Sequence, residues 1–180
     1  MIRRLPVMLC LLVAVSGCVK EDDEPVVSLG VGDAVPRFSV TLSDGSLFDY
    51  SVVQQYPCVI VFFDTSCPDC RAALPIIQTV ADREYYTSQG IRFVCIARAE
   101  GEATIASFWQ TAGLTLPYSP QADRAVYNLF ANSVIPRVYV TRPGRSASAA
   151  DGDSPGVPVI SAVLVEHFTE EQLISALSSL

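Results

Sequence analysis

Cys67 and Cys70 stand three positions apart with Pro68 and Asp69 between them, and thiols at that spacing support three kinds of chemistry. They can close a small disulfide ring or supply half of a tetrahedral metal site. Alternatively, one can attack an outside disulfide while the other resolves the mixed product. Their surroundings favour the last. The continuous apolar run Cys58-Val59-Ile60-Val61-Phe62-Phe63 precedes the pair, and a helical pattern begins at Pro68. A cysteine at the first turn of a helix faces unpaired backbone N–H groups and the positive end of the macrodipole, which stabilise a thiolate. A second cysteine one turn on lies within reach of the first. Cys67 is then the exposed attacker and Cys70 the more buried resolving thiol. Pro68 presets φ for the first turn. Asp69 sets a negative charge beside the thiolate, and Arg71 is placed to offset it. These opposing charges leave the reduction potential undefined on a scale from about −270 to about −120 mV.

The elements that hold this pair are legible as an α/β pattern. Phe38-Ser39-Val40-Thr41-Leu42 and Leu47-Phe48-Asp49-Tyr50 alternate apolar and polar residues around an Asp44-Gly45 turn, which predicts a β-hairpin. The run from Cys58 to Phe63 is a central strand covered on both faces. A helix from Pro68 to about Ser88, stopped by Gly90, leads to a second buried strand, Ile91 to Ala97. Strand, helix, strand in succession implies a right-handed parallel crossover. Helices follow near Thr104 to Ala112, closed by Gly113, and near Ala122 to Phe130, after a loop with Pro117 and Pro120. Two more strands, Arg137 to Thr141 and Val159 to Val165, are joined by a polar, Gly- and Pro-rich stretch over 143–158 that reads as a mobile surface loop. Thr169 with Gln172 forms a capping box opening a last helix to about Ser178.

With these elements in place, Phe62-Phe63-Asp64-Thr65-Ser66-Cys67-Pro68-Asp69-Cys70-Arg71, with Pro75 eight residues after Cys67, resembles a thioredoxin-family active site. The resemblance is strongest to the TlpA/ResA-like membrane-tethered thioredoxins. Val31-Gly32-Asp33-Ala34-Val35-Pro36-Arg37-Phe38 stands where they carry a Gly-Asp-x-Ala-Pro-x-Phe segment. The likeness covers roughly residues 30 to 142. It implies a thioredoxin-like fold, a central mixed β-sheet flanked by helices with an N-terminal β-hairpin extension, and Pro75 as a helix kink. It also implies a cis bond at Ile135-Pro136, facing the cysteine pair and offering backbone groups to a substrate strand. The implied activity is exchange of a Cys67/Cys70 disulfide with protein thiols, with reduction the favoured direction and no cofactor. Several residues depart from the family pattern. Ser66 replaces a common tryptophan, Val61 a buried aspartate, and Ala73 a glutamate of some cytochrome-maturation reductants. Asp64 is the nearest carboxylate left, and it also reads as a solvated strand end.

The N-terminus sets location. Arg3 and Arg4 followed by the apolar run Leu5 to Val15 read as a secretion signal, too short to span a bilayer. Val15-Ser16-Gly17-Cys18 resembles the lipobox of bacterial lipoproteins. Residues 1–17 are then a signal peptide, Cys18 is lipidated, 18–30 form an acidic tether, and 31–180 form one thioredoxin-like domain. More than one acyl chain anchors stably. Lys20-Glu21-Asp22-Asp23-Glu24 resembles a surface-export signal, and Val19 is not the aspartate of inner-membrane retention. These features place the chain in the cell envelope, at the outer membrane. Losing the signal's two arginines moves the formal charge from −7 to −9, which excludes nucleic-acid binding as a role. A reductant outside the cytoplasm needs a DsbD- or CcdA-like electron donor.

Other uses of the same residues fare less well. Cys58 begins one strand and Cys95 sits near the end of the next, so parallel neighbours hold them too far apart to bridge, and both read as buried, inert thiols. No second Cys or His pair stands at zinc spacing. A Sco-like copper carrier would need a wider cysteine spacing, which leaves His167, the only histidine, as a structural residue ending the last strand. A peroxiredoxin would need proline at position 60, which is Ile60. A non-enzymatic surface module with a static bridge is the remaining alternative.

Overall fold

The computed structural model describes residues 28–144 and 156–180. The signal, Cys18 and most of the expected tether and 143–158 loop lie outside them. Within the described residues, β3 (Cys58–Phe63) is the pivot of the fold. All six of its residues are fully buried, which requires neighbours on both edges and cover on both faces. It pairs in parallel with β4 (Arg92–Ala97) and antiparallel with β6 (Arg137–Gly144). β4 pairs in parallel with the short β5 (Tyr118–Ser119), and β6 pairs antiparallel with β7 (Gly156–Val165). The result is a five-stranded mixed sheet in the order β5-β4-β3-β6-β7.

Alternation along β3 sends its last two aromatics to opposite faces. Phe62 enters a cluster with Tyr127, Phe130 and Tyr139, at ring centroid distances of 5.3, 5.0 and 6.2 Å. Phe63 meets Trp109 of α4 (Glu102–Ala112) at 5.0 Å. Trp109 satisfies its indole N–H on the Leu116 carbonyl at 2.9 Å, as a buried Trp must. α4 closes on Gly113, whose φ of 67° is the left-handed C-cap expected of glycine.

The expected hairpin forms as β1 (Ser39–Thr41) and β2 (Leu47–Asp49), and Gly45 takes φ 83° at its tip. Its loop runs along the β5 edge, where Ser43 N–H donates to Tyr118 O at 2.8 Å. The residues before it cover part of the other edge. Gly32 and Val35 N–H groups donate to Ile160 and Pro158 carbonyls on β7, each at 2.9 Å. Leu29, read as tether, donates to Phe130 O at 2.8 Å and packs on the core, so ordered contacts begin before residue 31.

Five details differ from expectation. Tyr50 does not extend β2 but starts α1 (Tyr50–Gln55), because Asp49 caps it by accepting the Ser51 N–H at 2.9 Å. The helix expected over 68–88 is two helices, α2 (Pro68–Ala81) and α3 (Glu84–Ser88), separated by an extended Arg83. Val80 and Tyr86 are both buried, yet in one continuous helix six residues would turn Tyr86 roughly 120° off the Val80 face. The break resolves that conflict, while α2 itself continues through Pro75. β5 sits in the stretch read as a proline loop. Finally, residues 143–144 and 156–158 belong to the β6–β7 ladder. A Cβ at Gly144 would come within 1.9 Å of Val157 O, so only glycine fits there. α5 is shorter than expected (Ala125–Asn128), and α6 (Glu170–Leu177) carries the expected Thr169/Gln172 capping box.

Two substitutions measure these features by urea unfolding. Phe62→Ala should lower stability by about 3–5 kcal/mol through the cavity it opens in the aromatic cluster. Thr169→Ala should lose about 1 kcal/mol through the lost cap.

Candidate active site

β3 ends at Phe63, and the chain must turn through Asp64-Thr65-Ser66 before α2 begins. Two carboxylates shape that turn. Asp64 Oδ1 accepts the Ser66 N–H at 2.9 Å and its hydroxyl at 2.5 Å, a local Asx arrangement. Glu100, 35 positions away, accepts the Thr65 N–H at 2.9 Å and also the Thr65 hydroxyl. Cys67 then donates its N–H to Asp64 O at 3.1 Å and becomes the N-cap of α2, with Pro68 at the first helical position. Its thiol stays partly exposed at the helix end. One turn on, Cys70 is fully buried.

The Ile135–Pro136 peptide is cis and lies across from Cys67, whose thiol donates to the Ile135 carbonyl at 3.7 Å. The structure therefore brings Cys67, Cys70, Ile135 and Pro136 together, with Pro68 and Asp69 between the thiols. Burial pushes the Cys70 thiol well up, and the adjacent Cys67 and the Asp64 charge push it further, while the Asp64 backbone N–H works the other way. Among the described residues no group of three or more His, Cys, Asp or Glu is placed to hold a metal ion.

Charges around the pair are not arranged as expected. The Arg71 guanidinium lies over the Phe108 ring, 5.5 Å from its centroid, a cation–π placement. The cation-capable group beside Asp69 is instead His167, with Nδ1 3.7 Å from Asp69 Oδ1. His167 is not a structural end to the last strand: it sits beyond β7, and its side chain is 80% exposed. Arg98 reaches to 3.9 Å from Asp64 Oδ2, which makes Asp64 part of a half-buried pair rather than a solvated strand end. Glu100 and the β7–α6 turn carried no sequence signal, since both act through contacts far apart in the chain.

Cys58 pairs with Arg92 and Cys95 with Val61, three residues along the same two strands. Both thiols are free and fully buried. Burial pushes Cys58 from 9.0 up to about 12 and moves Cys95 in the same direction.

An exposed thiol at a helix end, held against a cis-proline with a buried thiol one turn behind it, is an arrangement for passing electrons through sulfur. The fold and the site define the class, a thioredoxin-like domain with a cysteine pair at the start of a helix. Residues 30–130 match the Redoxin family, and the chain belongs to it. The thiol-disulfide oxidoreductase ResA of Bacillus subtilis is 22% identical over 116 residues. That match spans 64% of this chain and 64% of ResA, a little under two thirds of the relative's length. Among solved structures, a thioredoxin family thiol:disulfide interchange protein from Chlorobium tepidum superposes with a TM-score of 0.61 at 22% identity, covering 84% of this chain and 97% of that one. A secreted Mycobacterium tuberculosis disulfide oxidoreductase homologous to E. coli DsbE gives 0.59 at 22% identity, covering 79% and 96%. At these identities the superpositions show the fold.

Brief iodoacetamide labelling of the reduced protein at pH 8, read by mass spectrometry, should modify Cys67 and spare Cys58, Cys70 and Cys95 until the chain is unfolded. The buried thiols also set an alkaline limit. Unfolded thiols ionise near 9.0, whereas folding holds Cys58 protonated to about 12. Their contribution to stability is complete below about pH 9 and is lost as pH rises toward 12; chemical denaturation across that window should show the decline.

Proposed function

We propose that this protein is an extracytoplasmic thiol–disulfide oxidoreductase that reduces disulfides in other proteins while tethered to the cell envelope by lipid on Cys18. The observation that carries the chemistry is the Cys67 thiol 3.7 Å from Ile135 O with Cys70 buried behind it. A substrate strand lying along the Ile135–Pro136 peptide brings its disulfide to Cys67. The Cys67 thiolate attacks one sulfur, the substrate S–S bond breaks, and the departing sulfur leaves as a thiolate that takes up a proton. Cys70 gives up its proton, with the Asp64 N–H stabilising the thiolate as it forms, and attacks the Cys67 sulfur. The second substrate thiol is released and a Cys67–Cys70 disulfide remains. Two electrons have passed to the substrate, and a DsbD- or CcdA-like membrane partner returns them.

The envelope location is supported by the secreted DsbE-like relative and by the leader and Val15-Ser16-Gly17-Cys18. No helix among the described residues is long and apolar enough to cross a membrane. Residues 1–17 serve as the signal, the stretch from Cys18 as the tether up to the ordered contacts that begin at Leu29, and the residues beyond as the catalytic domain, held at the outer membrane.

In an insulin-reduction assay, Cys67→Ser should abolish turnover. Cys70→Ser should accumulate a mixed disulfide with the substrate. Turnover unchanged by Cys67→Ser would sink the catalytic reading in favour of a static bridge. Trapping the in vivo redox state tests direction, since a reductase keeps the pair reduced. Cys18→Ala should move the protein from the membrane to the soluble fraction.

A further inference from the structure

The turn between β7 and α6 touches both halves of the site. Glu166 is the one non-glycine residue with positive φ among the described residues, at 59°, a conformation that costs free energy and persists only where its surroundings hold it. Its N–H donates to the Pro136 carbonyl at 3.0 Å, which locks the turn to the cis-proline. Phe168, two residues on, is buried and anchors the far side. Between these fixed points His167 is carried over the start of α2, and its Nδ1 sits 3.7 Å from Asp69 Oδ1. A shallow cleft of about 60 Å³ runs beneath it, lined by Asp69, Ala73, Ile76, Glu166, His167 and Phe168.

Asp69 stands two residues after Cys67 in the first turn of α2, and its side chain is 41% exposed, so its charge is open to a partner docking at the helix start. We propose that His167 is a specificity-determining residue of the exchange reaction, acting through Asp69 to set the charge presented beside Cys67. The inference rests on Cys67 as attacker and adds a selector to it. The other charged groups on the elements around it are carboxylates, one of them already paired. They are Asp69 on α2, Glu166 on its own turn, and Glu170 and Glu171 at the start of α6, with Glu170 paired to Arg83. Protonated His167 balances Asp69 and admits anionic and cationic partners alike. Neutral His167 leaves Asp69 and Glu166 unopposed and favours substrates whose cysteine is flanked by lysine or arginine.

Two small disulfides test this on the reduced protein: cystamine, which carries two ammonium groups, and dithiobis(nitrobenzoate), which carries two carboxylates. In each reaction the Cys67 thiolate attacks one probe sulfur, the probe S–S bond breaks, and half the probe leaves as a thiolate. The same thiolate attacks both probes, so its own titration cancels in the ratio of their rates. That ratio, cystamine over dithiobis(nitrobenzoate), should be about fourfold higher at pH 7 in His167→Gln than in His167→Lys, the scale of an exposed charge pair acting on probes of opposite sign. Asp69→Asn should lower it below that of His167→Gln. The His167 side chain is 80% exposed, so neither outcome depends on refolding the core. Equal ratios in His167→Gln and His167→Lys overturn the proposal. Absence of reaction with both probes would instead overturn the catalytic assignment of Cys67.

Discussion

Six consecutive residues buried to the last atom make β3 the constraint on which everything else turns. A strand in that position has no freedom of register, because a slip of one residue would exchange its two faces and drive Phe62 and Phe63 into the wrong halves of the core. Its end is therefore fixed in space. Only three residues separate that end from Cys67, and two of them, Thr65 and Ser66, are tied down by Glu100 and Asp64. Cys67 thus inherits its position from the core. The cis-proline inherits its position from the same source, since β6 pairs directly with β3 and begins at Arg137. The Cys67 thiol and the cis-proline are held by adjacent strands rather than by flexible loops, an arrangement that keeps the two aligned.

What the sequence revealed follows from how local the cause was. The β3 run, the cysteine spacing, the Asp44-Gly45 turn and the Thr169/Gln172 box each act over a few residues and were readable as written. Ile135-Pro136 was readable only through resemblance, because nothing in a single X-Pro pair distinguishes cis from trans. What escaped notice depends on distant partners. Arg83 breaks the helix because Tyr86 must reach the core. β5 is two residues between prolines and exists because Cys95 and Ile96 offer it a ladder. Glu100 stands in an unremarkable polar stretch, and only the fold brings it under Thr65. His167 reads as an ordinary loop residue until the turn at Glu166 swings it over Asp69.

The electrostatics of the site divide along the same line between exposed and buried. Around Cys67 the charges are wet and adjustable: Asp69, His167 and, farther off, Arg71 parked on Phe108. Behind it they are half-buried and fixed: the Asp64–Arg98 pair and the Glu100 carboxylate. The outer set modulates which partner approaches. The inner set holds the loop, while burial itself keeps the Cys70 thiol protonated. One site therefore carries selection and resolution on separate groups, so each can vary without disturbing the other.

Cys58 and Cys95 give the fold one more consequence, concerning which sulfurs can join. In an unfolded chain the thiols at 58, 67, 70 and 95 are alike in exposure, and an oxidant could join them in any pairing. The pairing of β3 with β4 ends that equivalence, because both spare sulfurs lie in the interior, staggered by three residues and unable to meet. The sheet thereby withdraws two of these four sulfurs and leaves Cys67 and Cys70 as the pair within reach of each other.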